Sequence, residues 1–422
     1  MKKFILCAAL AACLLFTSCS TVIGTANIEE LLRAPQTNAT QSAVQTALAE
    51  YLDETPTLKY PRGGDEMSPV IIKDFDNDGT NEAAVLYITD SKGQNVHLAM
   101  LEPQDGGAWE VVFETEGMST EVASVETVHL QKGSLEIIVG YANATLSDKY
   151  LTVYTYSDET ITRMYDQSYT SYITSDLLGA GTQQLVVVPP AAQTGALSML
   201  FLNAADNQMI LLQTKELDER FVSCTGLYAS QSGQSKGVVF DGNFSSGGLS
   251  SQIFKMISDK LVLWPQDDEI DVPQTTLRYL TSLVATDFKG SKTYEVPTQV
   301  ESFTTLTSTK RFYFVTWKNY LSDADISRFG VYDATNGYFV RLPADWKDGV
   351  TVTDGAQAGS WQVRKADGND ILLSVRIAES APVSGLYTAA ASLGDKSVLI
   401  YTGTDCTLAE SALIRTGVTV IQ

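Results

Sequence analysis

Between Asp74 and Glu82 the chain reads Asp-Phe-Asp-Asn-Asp-Gly-Thr-Asn-Glu, its densest cluster of residues able to do chemistry. Asp74, Asp76 and Asp78 alternate, so a tight turn aims successive carboxylates at one centre. Gly79 permits the bend, the carbonyl of Thr80 can add a backbone oxygen, and Glu82 closes the stretch. An all-oxygen set suits a hard cation such as Ca²⁺, which takes about 6–8 oxygen ligands. A solvated acidic turn holding no ion is the competing reading.

Other chemistry is thinly represented. The chain carries 2 histidines, His97 and His129. Neither sits near a nucleophile motif and no Gly-x-Ser-x-Gly occurs, so a Ser-His-Asp hydrolase gains no support. Both histidines are expected as ordinary strand residues. The stretch from Gly242 to Gly248 is rich in glycine and serine but precedes no helix carrying lysine, so it reads as a loop and not a phosphate cradle. Asp267, Asp268, Glu269 and Asp271 could serve glycoside chemistry, yet an acidic loop explains them more simply.

An EF-hand opens with the same alternation of acids but needs a bidentate glutamate at its twelfth position. That position is Val85, inside the apolar run Ala83-Ala84-Val85-Leu86-Tyr87-Ile88. The run predicts a strand and not an exiting helix. An acidic loop of this kind feeding a strand resembles the calcium loop of FG-GAP/VCBS-type β-propeller repeats, as in integrin α-subunits. The resemblance implies that Asp74, Asp76, Asp78, the Thr80 carbonyl and Glu82 hold a structural Ca²⁺.

The elements that position the loop follow from its echoes. Gly79 precedes Glu82 and an apolar run; the same frame recurs at Gly133 with Glu136, at Gly181 with Gln184 and at Gly233 with Lys236. A weaker copy runs from Asp287 to Glu295, with Lys292 in the glycine position. Steps of roughly fifty residues with several short strands each match four-stranded propeller blades. The acids do not recur: Leu178 and Ala180 follow Asp176, and Lys289 and Ser291 follow Asp287. One intact metal loop among degenerate repeats is therefore expected.

The expected fold class is mainly β, with propeller-like repeats over 57–300. A tether and a short amphipathic helix over 20–56 precede them. The helix runs from Asn38 to Leu52, with Ala43, Val44, Ala47, Leu48, Tyr51 and Leu52 on one face. After about 300 the frame fails, and 301–422 reads as a small α+β domain; extra blades are the alternative. A hairpin from Trp361 to Ile377, a strand at Ser397 to Tyr401 and a helix at Thr407 to Ile414 are expected there.

A length of 422 residues suggests two domains, and 44% apolar content suffices for a sizeable core. The net charge of −21 argues against nucleic acid, which demands clustered cations. Lys2 and Lys3 precede an apolar segment from Phe4 to Phe16, then Thr17-Ser18-Cys19. This resembles a bacterial lipoprotein signal over 1–19, implying cleavage before Cys19 and lipidation of it. A secretory signal or an uncleaved anchor are the alternatives. Two acyl chains give stable anchoring, here on the outer face of the cytoplasmic membrane. Cys224 and Cys406 then remain, free and buried or disulfide-bonded.

Residues 28–300, including Glu30 to Pro35, Leu58 to Pro61 and the acidic loop, resemble propeller-containing lipoproteins of Gram-positive gut bacteria. The resemblance implies architecture and no activity. The expectation is a surface-anchored, non-catalytic binding or scaffold module for a protein or glycan. A polysaccharide hydrolase or lyase with carboxylates in a propeller cleft is the alternative.

Overall fold

The computed structural model describes residues 39–421 apart from 268, 301–304, 307–310, 323, 325–326, 358, 368–369 and 380–385. The expected signal segment, Cys19 and the expected tether before the helix lie outside the described residues. Strand accounts for 51% and helix for 9% of the structure. Among the described residues no helix is long and apolar enough to cross a membrane.

Helix α1 (Ala39–Leu52) leads into six sheets. The first contains β1 (Thr57–Leu58), β2 (Val70–Lys73), β3 (Glu82–Ile88), β4 (His97–Pro103) and β5 (Trp109–Glu116). Strands β1 and β2 pair with successive parts of β3, so together they make one broken innermost strand. The second sheet is β6 (Glu121–Val128), β7 (Glu136–Ala142), β8 (Lys149–Ser157) and β9 (Thr160–Ser168). The third is β10 (Ser171–Ser175), β11 (Gln184–Val188), β12 (Ser198–Ala205) and β13 (Gln208–Glu216). The fourth is β14 (Phe221–Ser232), β15 (Ser235–Phe244), β16 (Leu249–Ile257) and β17 (Lys260–Leu263). All four are antiparallel meanders, the build of a propeller blade.

Packing explains the sequence pattern. In β3, Ala84 and Leu86 face the second sheet, meeting Val125, Val139 and Tyr154. Ala83, Val85 and Tyr87 face the other way, onto Val44 and Leu48 of α1. Alternate side chains of a strand point to opposite faces, and here both faces are covered. A continuous apolar run follows in place of alternation. The outermost strand β13, covered less, carries exposed Ile210, Leu211 and Leu212. The second and third sheets share a core of Ile138, Val153, Leu185 and Val187, and the third and fourth one of Val186, Phe201, Val238 and Phe240.

Short helix α2 (Val272–Thr275) follows the fourth sheet, and a buried ion pair holds the crossing to the next. Arg278 and Asp241 are both fully buried, with Nη2 and Oδ1 3.2 Å apart. Asp241 also accepts the Ala285 amide at 2.6 Å, and Arg278 donates to the Thr276 carbonyl at 3.0 Å. Burial holds the Arg278 guanidinium below its usual range, and the Asp241 charge opposes this. Loss of either partner strands the other charge, at about 3–5 kcal/mol.

Two larger sheets complete the structure. The chain adds β18 (Val296–Gln299), β19 (Thr305–Leu306), β20 (Phe312–Lys318), β21 (Ser327–Asp333) and β22 (Tyr338–Leu342). It then adds β23 (Val350–Asp354), β24 (Trp361–Lys365), β25 (Ile371–Ala378), β26 (Thr388–Leu393) and β27 (Lys396–Thr402). Helix α3 (Leu408–Thr416) and β28 (Val418–Val420) end it. The fifth sheet runs β18-β20-β21-β22-β28 and the sixth β19-β23-β24-β25-β27-β26. They share a core around Phe314, Val331, Trp361 and Val375, onto which Ile414 of α3 packs. Strand β18 pairs with β20, so this sheet spans residue 300. The expected hairpin and helix are present, the helix with a Thr407–Glu410 capping box. Strand β28, pairing with β22, has no counterpart among the sequence expectations. Cys224 and Cys406 are free thiols, and burial pushes that of Cys224 up to about 12.

Candidate functional site

The acidic stretch is the turn from β2 to β3. Backbone amides shape it through the acids themselves. Asp78 N donates to Asp74 Oδ1 at 3.1 Å and Gly79 N to Asp74 Oδ2 at 3.0 Å. Asp78 N also approaches Asp76 Oδ1 at 3.2 Å, and Thr80 N donates to Asp78 Oδ1 at 2.7 Å. Gly79 has φ +95°, a value glycine takes at no steric cost. Glu82, the first residue of β3, is buried and accepts the Phe75 amide at 2.8 Å.

One carboxylate oxygen from each of Asp74, Asp76, Asp78 and Glu82 lies within 4.8 Å of all the others. Thr80 is exposed on the same turn. The crowding shows at Glu82 and Asp76. Burial pushes the Glu82 carboxyl up to about 7, and the charges of Asp76, Asp74 and Asp78 add to this. Asp76 is raised as well, first by burial and then by Asp78, Asp74 and Glu102. A cation among these oxygens would relieve both effects. Oxygen donors alone match Ca²⁺ better than zinc, which prefers nitrogen and sulfur.

The repeat frame acquires a physical meaning here. Asp176 accepts Ala180 N at 2.9 Å and Gly181 N at 3.3 Å, as Asp74 does in its own turn. Asp287 accepts Lys292 N at 2.6 Å, and Lys292 takes the left-handed φ of +57° that its glycine counterparts adopt. Glu136 and Gln184 tie back the Leu130 and Leu178 amides at 2.7 and 2.9 Å, as Glu82 ties Phe75. The first acid of the loop thus ties the turn in the copies at Asp74, Asp176 and Asp287, and the last position does so at Glu82, Glu136 and Gln184, whereas Glu295 pairs with Arg328 instead. Asp76 and Asp78 are what the first copy adds. Sequence reading treated Asp74 and Glu82 only as ligands; their recurrence in copies lacking the other acids was the available signal.

The remaining candidates scatter. His97 is buried beside Tyr87, with ring centroids 5.6 Å apart, and its Nδ1 lies 3.8 Å from Glu114. His129 Nδ1 lies 2.8 Å from the Ser134 carbonyl oxygen. Gly247 and Gly248 turn the β15–β16 hairpin. Asp267 and Asp271 instead line a cavity of about 640 Å³ beside the fourth sheet. There Arg220 bridges Asp271 at 2.8 Å and Asp218 at 2.7 Å. Its hydrogen bonds hold both carboxyls below their usual range.

No protein-family model matches the sequence, and no curated protein does. Solved structures give remote similarities. A protein from Lactobacillus plantarum aligns at 12% identity over 74% of this chain and 81% of its own, with a TM-score of 0.32. The Dos1 propeller aligns at 10% identity over 79% and 78%, with a TM-score of 0.30. The β-propeller domain of the Trilobed protease from Pyrococcus furiosus aligns at 8% identity over 73% and 89%, with a TM-score of 0.27. The propeller-like assignment rests on the four-stranded meanders and their stacking.

Proposed function

We propose that this chain is a surface-anchored bacterial lipoprotein whose propeller-like body acts as a non-catalytic binding or scaffold module. Cys19 carries the lipid, and one Ca²⁺ stiffens the β2–β3 corner of the first sheet. The convergence of Asp74, Asp76, Asp78 and Glu82 oxygens within 4.8 Å carries the calcium assignment. The Thr80 carbonyl supplies a further ligand. The ion would neutralise acids that the turn has already gathered, and so brace the entry into β3 against its neighbour. The alternative, a polysaccharide hydrolase or lyase, needs one carboxyl held protonated as an acid. In the lateral cavity the paired carboxylates Asp218 and Asp271 are both held ionised by Arg220, so neither supplies that acid.

Melting the protein with Ca²⁺ and with chelator tests the reading. The melting temperature should rise with Ca²⁺; excess ligand at 100 times Kd corresponds to about 2.7 kcal/mol. Asp76→Ala should abolish the difference while leaving the loop ties of Asp74 and Glu82 intact. An unchanged melting temperature in the parent protein would sink the calcium assignment.

A further inference from the structure

The cavity beside the fourth sheet is formed where the end of β13 with the β13–β14 connection, Gln252 of β16, the end of β17 and the start of α2 meet. Buried within its lining is Gln252, 5% exposed. Its Oε1 accepts the Asp218 amide at 3.0 Å. Its Nε2 donates no hydrogen bond among the described residues. Nε2 is not among the enclosed polar atoms that lack a partner, so solvent in the cavity reaches it, and a donor facing a cavity suits an incoming acceptor. We propose that this cavity binds a neutral glycan. The proposal rests on the binding-module reading and names its ligand class.

The rest of the lining offers what a sugar requires. Arg220 is immobilised by Asp218 and Asp271 and stacks over Phe244, 5.1 Å from the ring centroid. Because two carboxylates neutralise it, it offers an anion little attraction, and the lining's other cation, Lys215, is offset by a third carboxylate, Asp267. Asp218 Oδ2 and Asp271 Oδ2 each accept one arginine hydrogen bond, at 2.7 and 2.9 Å, and keep a lone pair. Fixed carboxylate acceptors paired with an amide donor match the alternating hydroxyls of a saccharide. The apolar side is equally fixed. Trp264 donates its Nε1–H to the Tyr320 carbonyl at 2.9 Å, which locks its ring in the wall. Leu263, 47% exposed, continues the apolar strip at the mouth. Such surfaces cover the C–H faces of pyranose rings. A volume of about 640 Å³ lies within the range of small-molecule sites, about 300–1,000 Å³, which accommodates a short oligosaccharide. Pre-set side chains lower the ordering cost of binding.

Calorimetric titration of the full mature chain with cello-, xylo-, malto- and manno-oligosaccharides tests the proposal. At least one series should bind saturably. Gln252→Ala, and separately Leu263→Asp at the exposed mouth, should each weaken that binding about tenfold. Asp76→Ala, which touches only the calcium loop, should leave it unchanged. Absence of binding by all four series overturns the glycan assignment and leaves the binding module to a protein ligand. Binding that both cavity variants leave intact overturns this cavity as the site while the module reading stands. Chromatography of the incubated oligosaccharide completes the test: shortened products would overturn the non-catalytic reading and keep the site.

Discussion

Glu82 carries two duties. It ties the Phe75 amide into the turn at 2.8 Å and offers an oxygen to the acidic cluster. Gln184 performs the first duty alone in the third sheet, so Glu82→Gln should fold with its loop intact and lose calcium stabilisation. The calcium-free protein should also show the charge cost. The Glu82 carboxyl titrates at about 7 when folded, against 4.5 ordinarily. The folded state then binds the proton more tightly, so this contribution is complete below about pH 4.5 and lost as pH rises through about 7. With chelator present, the parent should melt higher at about pH 5 than at about pH 7.5, and Glu82→Gln should flatten that dependence. Calorimetry at both pH values, with and without Ca²⁺, decides. A Glu82→Gln protein that keeps the parent's calcium shift would remove Glu82 from the ligand set.

At the scale of elements, α1 shows how pattern becomes packing. An isolated helix of 14 residues is marginal in water. It persists here because Val44 and Leu48 are fully buried against the first sheet. Leu48→Ala should therefore cost about 2–5 kcal/mol, read as a lower urea midpoint with an unchanged slope. A loss under about 0.5 kcal/mol, ordinary for an exposed surface position, would contradict that packing. The amphipathic face was legible from spacing, with one exception. Tyr51, expected inward, is 54% exposed, and Lys92 lies over its ring at 5.6 Å. Leu52, one residue further on, still packs against the first sheet, so the buried face ends on Leu52 and leaves Tyr51 outside, a choice that helical periodicity does not encode.

The whole molecule is a succession of sheets. A net charge of −21 opposes adhesion to anionic headgroups, so the proposed membrane anchoring would depend on acyl chains at Cys19. Cys19→Ser should shift the protein from the membrane fraction to the soluble one in a cell fractionation. Retention in the membrane would refute the anchor. The buried Asp241–Arg278 pair belongs to this scale too, since it clamps the chain where it passes from the fourth sheet to the fifth. Asp287 and Lys292 form the next turn, and it feeds β18 as Asp74 and Gly79 feed β3. At the point where other sheets have a full first strand, Thr286 makes a single bridge to Glu295. The repeat thus fades gradually across residue 300.

The order of residues determined what is local. Alternating acids, a glycine able to take positive φ and a following apolar run specify a turn into a buried strand, because each depends only on neighbours along the chain. The same holds for α1, for the Trp361–Ile377 hairpin and for the spacing of the sheets. Tertiary structure decided what unites distant residues. Asp218, Gln252, Trp264 and Asp271 share a cavity because sheet edges and α2 converge there. No spacing announces that Arg220 neutralises two acids or that Gln252 lines the same cavity as Asp218. Asp241 and Arg278 look like surface charges until folding encloses them together. Local conformation follows from short-range sterics and hydrogen bonding, whereas burial, ion pairing and cavity lining exist only after the sheets have stacked.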